Sequence, residues 1–284
     1  MLNALTIDLE DWYHPELVRP WLSSGEQETQ IEQSTWPLLD LLRERRVQAT
    51  FFVVGQVAQQ HPSLIEAIAV QGHELACHGM SHKPLWEMKP DDFRAELEEF
   101  SRVMSAITPG AEIIGFRAPT FSLDNRTRWA LGILTEFGYL YDSSVFPMRT
   151  PLYGVSGCPL TPYRPSAEDI AKPDAQGVLL EFPMSVWSCV GLKIPVSGGV
   201  YLRILPLALV KFCLGQISSQ RPFVIYVHPW EIYPHTPRLE LPFLACLATY
   251  HNIGKMLSRL TALLDAFSFA PMRTALEEIE ALKK

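Results

Sequence analysis

Two periods alternate along this chain. Leu5–Leu9 reads as a buried strand that ends in acids, and Ser34–Arg45 as an amphipathic helix with Trp36, Leu38, Leu39, Leu41 and Leu42 on its apolar side. Ala49–Val54 is a β-branched and aromatic strand stopped by Gly55. Ser63–Gln71, set between Pro62 and Gly72, predicts a helix, and Glu74–Cys77 a short strand. Pro90–Ile107 predicts a long helix, with Asp91 and Asp92 near the N-terminus where the helix dipole favours negative charge. Further on, Ile113–Phe116, Val178–Phe182, Phe223–Val227 and Ser268–Ala270 read as strands. Asn125–Phe137, Leu205–Ile217, Tyr250–Phe267 and Thr274–Lys283 read as helices.

Strand and helix alternate for most of the length, which predicts an α/β fold of parallel βα units. The chain has 284 residues, within range of a single α/β barrel. Residues 146–173 break the rhythm with six prolines (Pro147, Pro151, Pro159, Pro162, Pro165 and Pro173) and predict an ordered but irregular excursion.

Composition narrows the classes. Hydrophobic residues at 48% and charged residues at 19% allow a large core and exclude broad disorder. A net charge of -7 without a basic run argues against nucleic-acid binding. The five cysteines are scattered, with no C-x-x-C pair, which suits a reducing compartment better than a disulfide scaffold. Met1-Leu-Asn-Ala lacks the basic start of a secretory signal, and the apolar passage near Ile204–Leu214 contains Pro206 and Lys211 and is too short to span a bilayer. These features predict a cytoplasmic protein, with peripheral membrane association as the alternative.

The chemistry gathers after the strands. His78 and His82, four residues apart, would share one face of a helical turn and reach one metal ion. With a carboxylate from Asp8-Leu-Glu-Asp11 they would leave a coordination position open, as hydrolytic metal sites do. In parallel α/β folds the site forms at the C-terminal ends of the strands. The acids at Asp8–Asp11, then His78–His82, Arg117 and His228 all fall just after predicted strands. Each alone has a plain structural reading as a core histidine, a helix cap or a turn, but the four together point to a site. The carboxylate ligand stays open between Glu10 and Asp11. Extended backbone puts Glu10 on the face of Asp8, whereas a turn there would undo that and give Asp11 direct reach.

These residues resemble the NodB-homology polysaccharide deacetylases, carbohydrate esterase family 4. Thr6-Ile7-Asp8 with Glu10 and Asp11 is similar to the family's first motif, and Gly72-His73-Glu74 with His78 and His82 to its second. Arg117-Ala118-Pro119 is similar to the third, Asp142 in Tyr141-Asp142-Ser143-Ser144 to the fourth, and Tyr226-Val227-His228 to the fifth. Asp8-x-Glu-Asp-Trp12, Tyr141–Pro147, Gly198–Arg203, His228-Pro-Trp-Glu231 and the tail from Tyr250 to Met272 resemble the branch linked to bacterial exopolysaccharide and exosortase loci.

The resemblance implies a distorted (β/α) barrel of about seven strands in a single domain, with residues 1–248 catalytic and 249–284 a helical extension packed on the barrel. It implies a divalent metal, zinc first, with cobalt, nickel or manganese as alternatives. Asp8 would be the base, His228 the acid, and Asp142 the carboxylate that orients His228. Arg117 would hold Asp8, and His78 and His82 with Glu10 or Asp11 would hold the metal. A backbone N–H near Thr120 would meet the oxyanion, Tyr226 would shape the pocket wall, and Trp12 and Trp230 would stack on sugar. Glu231 would contact substrate or brace the loop after His228. The implied partner is an N-acetylated glycan, with a membrane-bound polysaccharide-synthesis assembly as a further one. The implied activity is N-deacetylation; a deformylase or other amide hydrolase, or a catalytically silent carbohydrate-binding protein, are the alternatives.

Overall fold

Every residue of β1 (Asn3–Leu9) is buried, and its side chains divide by parity between two cores. Leu5, Ile7 and Leu9 join the large core under the helices, whereas Ala4 joins a second core inside the curl of the sheet. The pleat therefore turns Thr6 and Asp8 to the inside as well. The same division continues in β2 (Thr50–Val53) and β3 (Glu74–Cys77), where Phe51, Val53, Leu75 and Cys77 face the helices and Phe52 and Ala76 face inward.

The computed structural model describes residues 1–23 and 27–279. Between β1 and β2 runs α1 (Ile31–Arg45), and α2 (Gly55–Gln60) and α3 (Pro62–Val70) lead to β3. Then follow α4 (Pro90–Ile107), β4 (Gly115–Phe116), α5 (Ala130–Glu136), β5 (Tyr141–Asp142) and β6 (Leu180–Glu181). The antiparallel hairpin of β7 (Val186–Cys189) and β8 (Leu192–Pro195) precedes α6 (Gly199–Ile204), α7 (Leu207–Ser218) and β9 (Val224–Val227). The chain closes with α8 (Pro229–Ile232), α9 (Phe243–Tyr250), α10 (Met256–Leu264), β10 (Phe269–Ala270) and α11 (Met272–Glu278).

Among the described residues, strands β9, β1, β2, β3, β4, β5 and β6 run parallel in that order, and β10 pairs with the start of β1. This is the expected distorted barrel of about seven strands. Its open edge, between β6 and β9, is bridged without a ladder. The Val224 N–H donates to Ser185 Oγ at 2.8 Å and the Tyr226 N–H to the Ser197 carbonyl at 2.7 Å. Among the described residues no helix is long and apolar enough to cross a membrane.

Gly198 sits at this seam. A Cβ there would lie 2.2 Å from the Tyr226 carbonyl oxygen and 2.4 Å from its ring. Gly198→Ala is expected to lower stability by about 1–3 kcal/mol through overpacking. A denaturation midpoint equal to that of the parent would show that the seam opens freely.

Several expected elements differ. Trp36 is 42% exposed, because it stands roughly 200° around the helix from buried Leu38. The helix expected from Asn125 starts only at Ala130, since Asp124 and Thr127 close a turn on each other's backbone and side chain. The helix expected over Tyr250–Phe267 is broken at Asn252, whose φ is 55° and whose side chain donates to the Arg203 carbonyl at 3.0 Å. The hairpin is hidden in the sequence because its turn uses Val190 at φ 47° before Gly191, a conformation valine disfavours. The terminal helix expected over Thr274–Lys283 begins at Met272, and residues 280–283 of it lie outside the described residues.

Candidate active site

Arg117, at the end of β4, is fully buried, with its guanidinium carbon 4.0 Å above the Phe52 ring. It donates to Asp8 Oδ1, to Thr6 Oγ1 at 2.9 Å, and to the carbonyl and hydroxyl of Ser143 at 3.0 and 3.1 Å. A buried cation is tolerable only with such a full set of acceptors, and here the set fixes one oxygen of Asp8. The other, Oδ2, stays free to face the pocket, 3.8 Å from His228 Nε2.

Glu10 stands beyond a tight turn, its N–H donating to the Asp8 carbonyl at 2.9 Å. One carboxylate oxygen of Glu10 and one ring nitrogen each of His78 and His82 lie within 4.8 Å of one another. The His78 ring donates from Nδ1 to the Arg117 carbonyl at 2.8 Å, which leaves Nε2 as the acceptor end. Burial pushes His78 down to about 4, so its ring is neutral near pH 7. His82 Nε2 is buried against the Glu10 carboxylate yet makes no hydrogen bond. The donor set of two imidazoles and one carboxylate, with this buried nitrogen turned into it, fits an open divalent site. Burial opposes ionisation of Glu10, but His82, His228 and His78 outweigh it and hold the carboxyl far below the usual range.

The two histidines are not on a helical turn, contrary to expectation. They flank a loop in which Gly79 has φ 76° and His82 φ 57°. Glu96 of α4 pins that loop by accepting the N–H groups of Met80 and Ser81, each at 2.8 Å. The rings end 5.0 Å apart at 70°.

His228 completes the cluster from the end of β9. Its Nε2 faces Glu10 Oε1 at 3.4 Å, and its Nδ1 meets Glu231 Oε2 at 2.9 Å. Burial opposes charge on His228, but the carboxylates of Glu10, Glu231 and Asp8 raise it to about 9. Asp8, Glu10, His78, His82, Thr120, Tyr226, His228 and Trp230 line one pocket together with Glu16, Leu17, Tyr153, Arg203 and Glu231. Thr120 holds a left-handed backbone at φ 56°, a strained geometry common at functional sites. Tyr226 is buried and packs edge-on against Phe121 and His228.

Three expected residues take other roles. Asp11 points away from the histidines and accepts the Trp12 N–H at 2.9 Å, the Gln30 N–H at 3.0 Å and the Thr29 hydroxyl. Trp12 is buried beside Trp230 and Val18 and donates to the Glu28 carbonyl at 3.0 Å, so it packs the rim and presents no face to a ligand. Asp142 is buried against Ser144 and Glu181. Burial raises both carboxyls, and the Asp142 charge raises Glu181 further. Trp230 lines the pocket but is buried too: it stacks on His228 at 5.4 Å and donates to Glu10 Oε1 at 3.2 Å. For Glu231 the sequence offers only a brace or a substrate contact. The signal for its place beside His228 is local: it stands three residues on, with Pro229 opening the helix, as in a capping box. Arg203, its partner, gives no such signal.

Residues 19–139 match the family described as polysaccharide deacetylase, and residues 143–277 match a domain of unknown function, DUF3473. A chitooligosaccharide deacetylase of Sinorhizobium fredii is 40% identical over 82 residues, covering 29% of this chain and 38% of that protein. A peptidoglycan-N-acetylglucosamine deacetylase of Bacillus cereus is 30% identical over 95 residues, covering 33% of this chain and 34% of that protein. This chain thus spans little more than a third of the length of these relatives. A solved structure of a probable polysaccharide deacetylase from Pseudomonas aeruginosa superposes with a TM-score of 0.60 at 17% identity, over 99% of this chain and 92% of that one. That likeness concerns the fold.

Proposed function

Because this chain belongs to the NodB-homology polysaccharide deacetylase family, we propose that it is a metal-dependent hydrolase that removes N-acetyl groups from hexosamine residues of a polysaccharide or oligosaccharide. One observation carries this reading. A restrained carboxylate, a two-histidine and one-carboxylate donor set, and a histidine with Nε2 directed inward meet in one pocket.

Glu10, His78 and His82 would hold the cation, zinc by the nature of the donors, with cobalt, nickel or manganese able to substitute. When bound, it would polarise the acetamide carbonyl and make nearby water a better nucleophile at neutral pH. Asp8 Oδ2 takes the proton from the attacking water as its oxygen bonds to the carbonyl carbon. Arg117 keeps Asp8 aimed, and the backbone N–H at Thr120 donates to the oxyanion. His228 then gives its Nε2 proton to the amine nitrogen as the C–N bond breaks, leaving acetate and the free amine.

The test is acetate release from N-acetylated chito-oligosaccharides and peptidoglycan fragments by the zinc-loaded protein. Release is expected to vanish with a chelator and to return with zinc or cobalt. A protein with its metal confirmed bound that frees no acetate from any such glycan would overturn the reading. Formate release from an N-formylated sugar instead would make it a deformylase.

A further inference from the structure

The family resemblance assigns the carboxylate behind His228 to Asp142, but Asp142 accepts from the Ser144 hydroxyl through Oδ1 and lies beside buried Glu181, and its Oδ2 makes no hydrogen bond among the described residues. Glu231 occupies the place instead. Its Oε2 meets His228 Nδ1 at 2.9 Å and also accepts the His228 backbone N–H at 3.1 Å. Its Oε1 accepts from Arg203 Nε at 2.9 Å, and both side chains are almost wholly buried. Arg203 is held in turn. Its Nη1 donates to the His251 carbonyl at 2.8 Å and its Nη2 to the Ala248 carbonyl at 2.6 Å.

We propose that Glu231 is the positioning residue for the His228 acid, and that Arg203, clamped by the 248–252 turn, fixes Glu231. This rests on the reading of His228 as the acid. Once His228 has given up its Nε2 proton, the neutral ring must keep the proton on Nδ1, the tautomer that Glu231 accepts from. The segment of unknown function, residues 143–277, thereby gains a definite part in the site, because it supplies His228, Glu231 and Arg203, the whole acid side of the pocket.

The test compares two substrates on the zinc-loaded full chain. An N-acetylated chito-oligosaccharide has an amine leaving group that needs a proton; 4-nitrophenyl acetate has one that does not. Glu231→Gln keeps the size and an acceptor oxygen. It is expected to lower kcat on the glycan by about 10- to 100-fold, with KM, metal content and ester turnover unchanged. Equal loss on both substrates would mean a structural brace and would overturn the proposal. A second readout does not depend on turnover. Nitrogen NMR of the imidazoles, with His228 assigned through His228→Gln, should show the Nδ1 signal moving in Glu231→Gln and staying in Asp142→Asn. A shift of that signal in Asp142→Asn would overturn the proposal even if Glu231→Gln failed to fold. A parent protein that releases no acetate would sink the deacetylase reading, while the NMR comparison would still decide what positions His228.

Discussion

Asp8→Asn is expected to cut acetate release by about 10²- to 10⁴-fold while leaving zinc bound. Asparagine keeps the shape of the side chain and a carbonyl oxygen for Arg117, but it has no carboxylate to receive the proton of the attacking water. Metal binding should survive because the converging donor set is Glu10, His78 and His82, and Asp8 stands outside it. The contrast is with His82→Ala, which removes a donor and should lose metal and turnover together. Turnover at saturating glycan and metal content by elemental analysis decide the matter. An Asp8→Asn protein that keeps its metal and most of its turnover would remove Asp8 from the base position, and one that loses its metal would place Asp8 in the ligand set.

Arg117→Met should be the most destabilising single change around the site. Removing one partner of a buried ion pair leaves the other uncompensated, at a cost of about 3–5 kcal/mol. Here it would strand Asp8, which is 2% exposed, and would take a donor from Thr6 and from both oxygens of Ser143. Set against the ~5–15 kcal/mol that holds a typical domain together, that is a large share. Arg117→Lys keeps the charge but cannot span four acceptors with one ammonium, so its stability should fall between the two. Urea denaturation followed by tryptophan fluorescence measures it. An Arg117→Met midpoint matching the parent would show that Asp8 finds another partner or water.

Much of the frame was legible in the residues. The apolar run Leu5–Leu9 ending in acids reads as a buried strand from its residues alone, and every residue of β1 is buried, with Leu5, Ile7 and Leu9 in the core under the helices. Polar groups placed after apolar strands were enough to locate the pocket, because parallel strands bring their C-terminal ends together whatever the helices between them do. Short elements were less visible. The strands at Gly115–Phe116 and Tyr141–Asp142 each span only 2 residues, so the ladder and not propensity makes them strands.

The site divides in the same way. His78 and His82 do converge, but not as their spacing suggested: it pointed to a helical turn, while a loop pinned by Glu96 brings the rings together. Extended backbone left Glu10 and Asp11 open; past the turn at Leu9, Glu10 lies with the two histidines, while the N–H groups of Trp12 and Gln30 claim Asp11. Motif order pointed to Asp142 behind His228, whereas the fold turned Glu231 there.

By itself the sequence determined the layered α/β frame and the end of the sheet at which polar groups gather, since strand period and strand-end polarity are set by neighbouring residues. Only the tertiary structure decided which carboxylate meets which imidazole. Those pairings hang on turns, on the positive-φ loop of Gly79 and His82, and on Arg203 reaching the 248–252 turn. Hydrogen-bond geometry tolerates only a few tenths of an ångström, and no spacing along a chain specifies distances across it that finely.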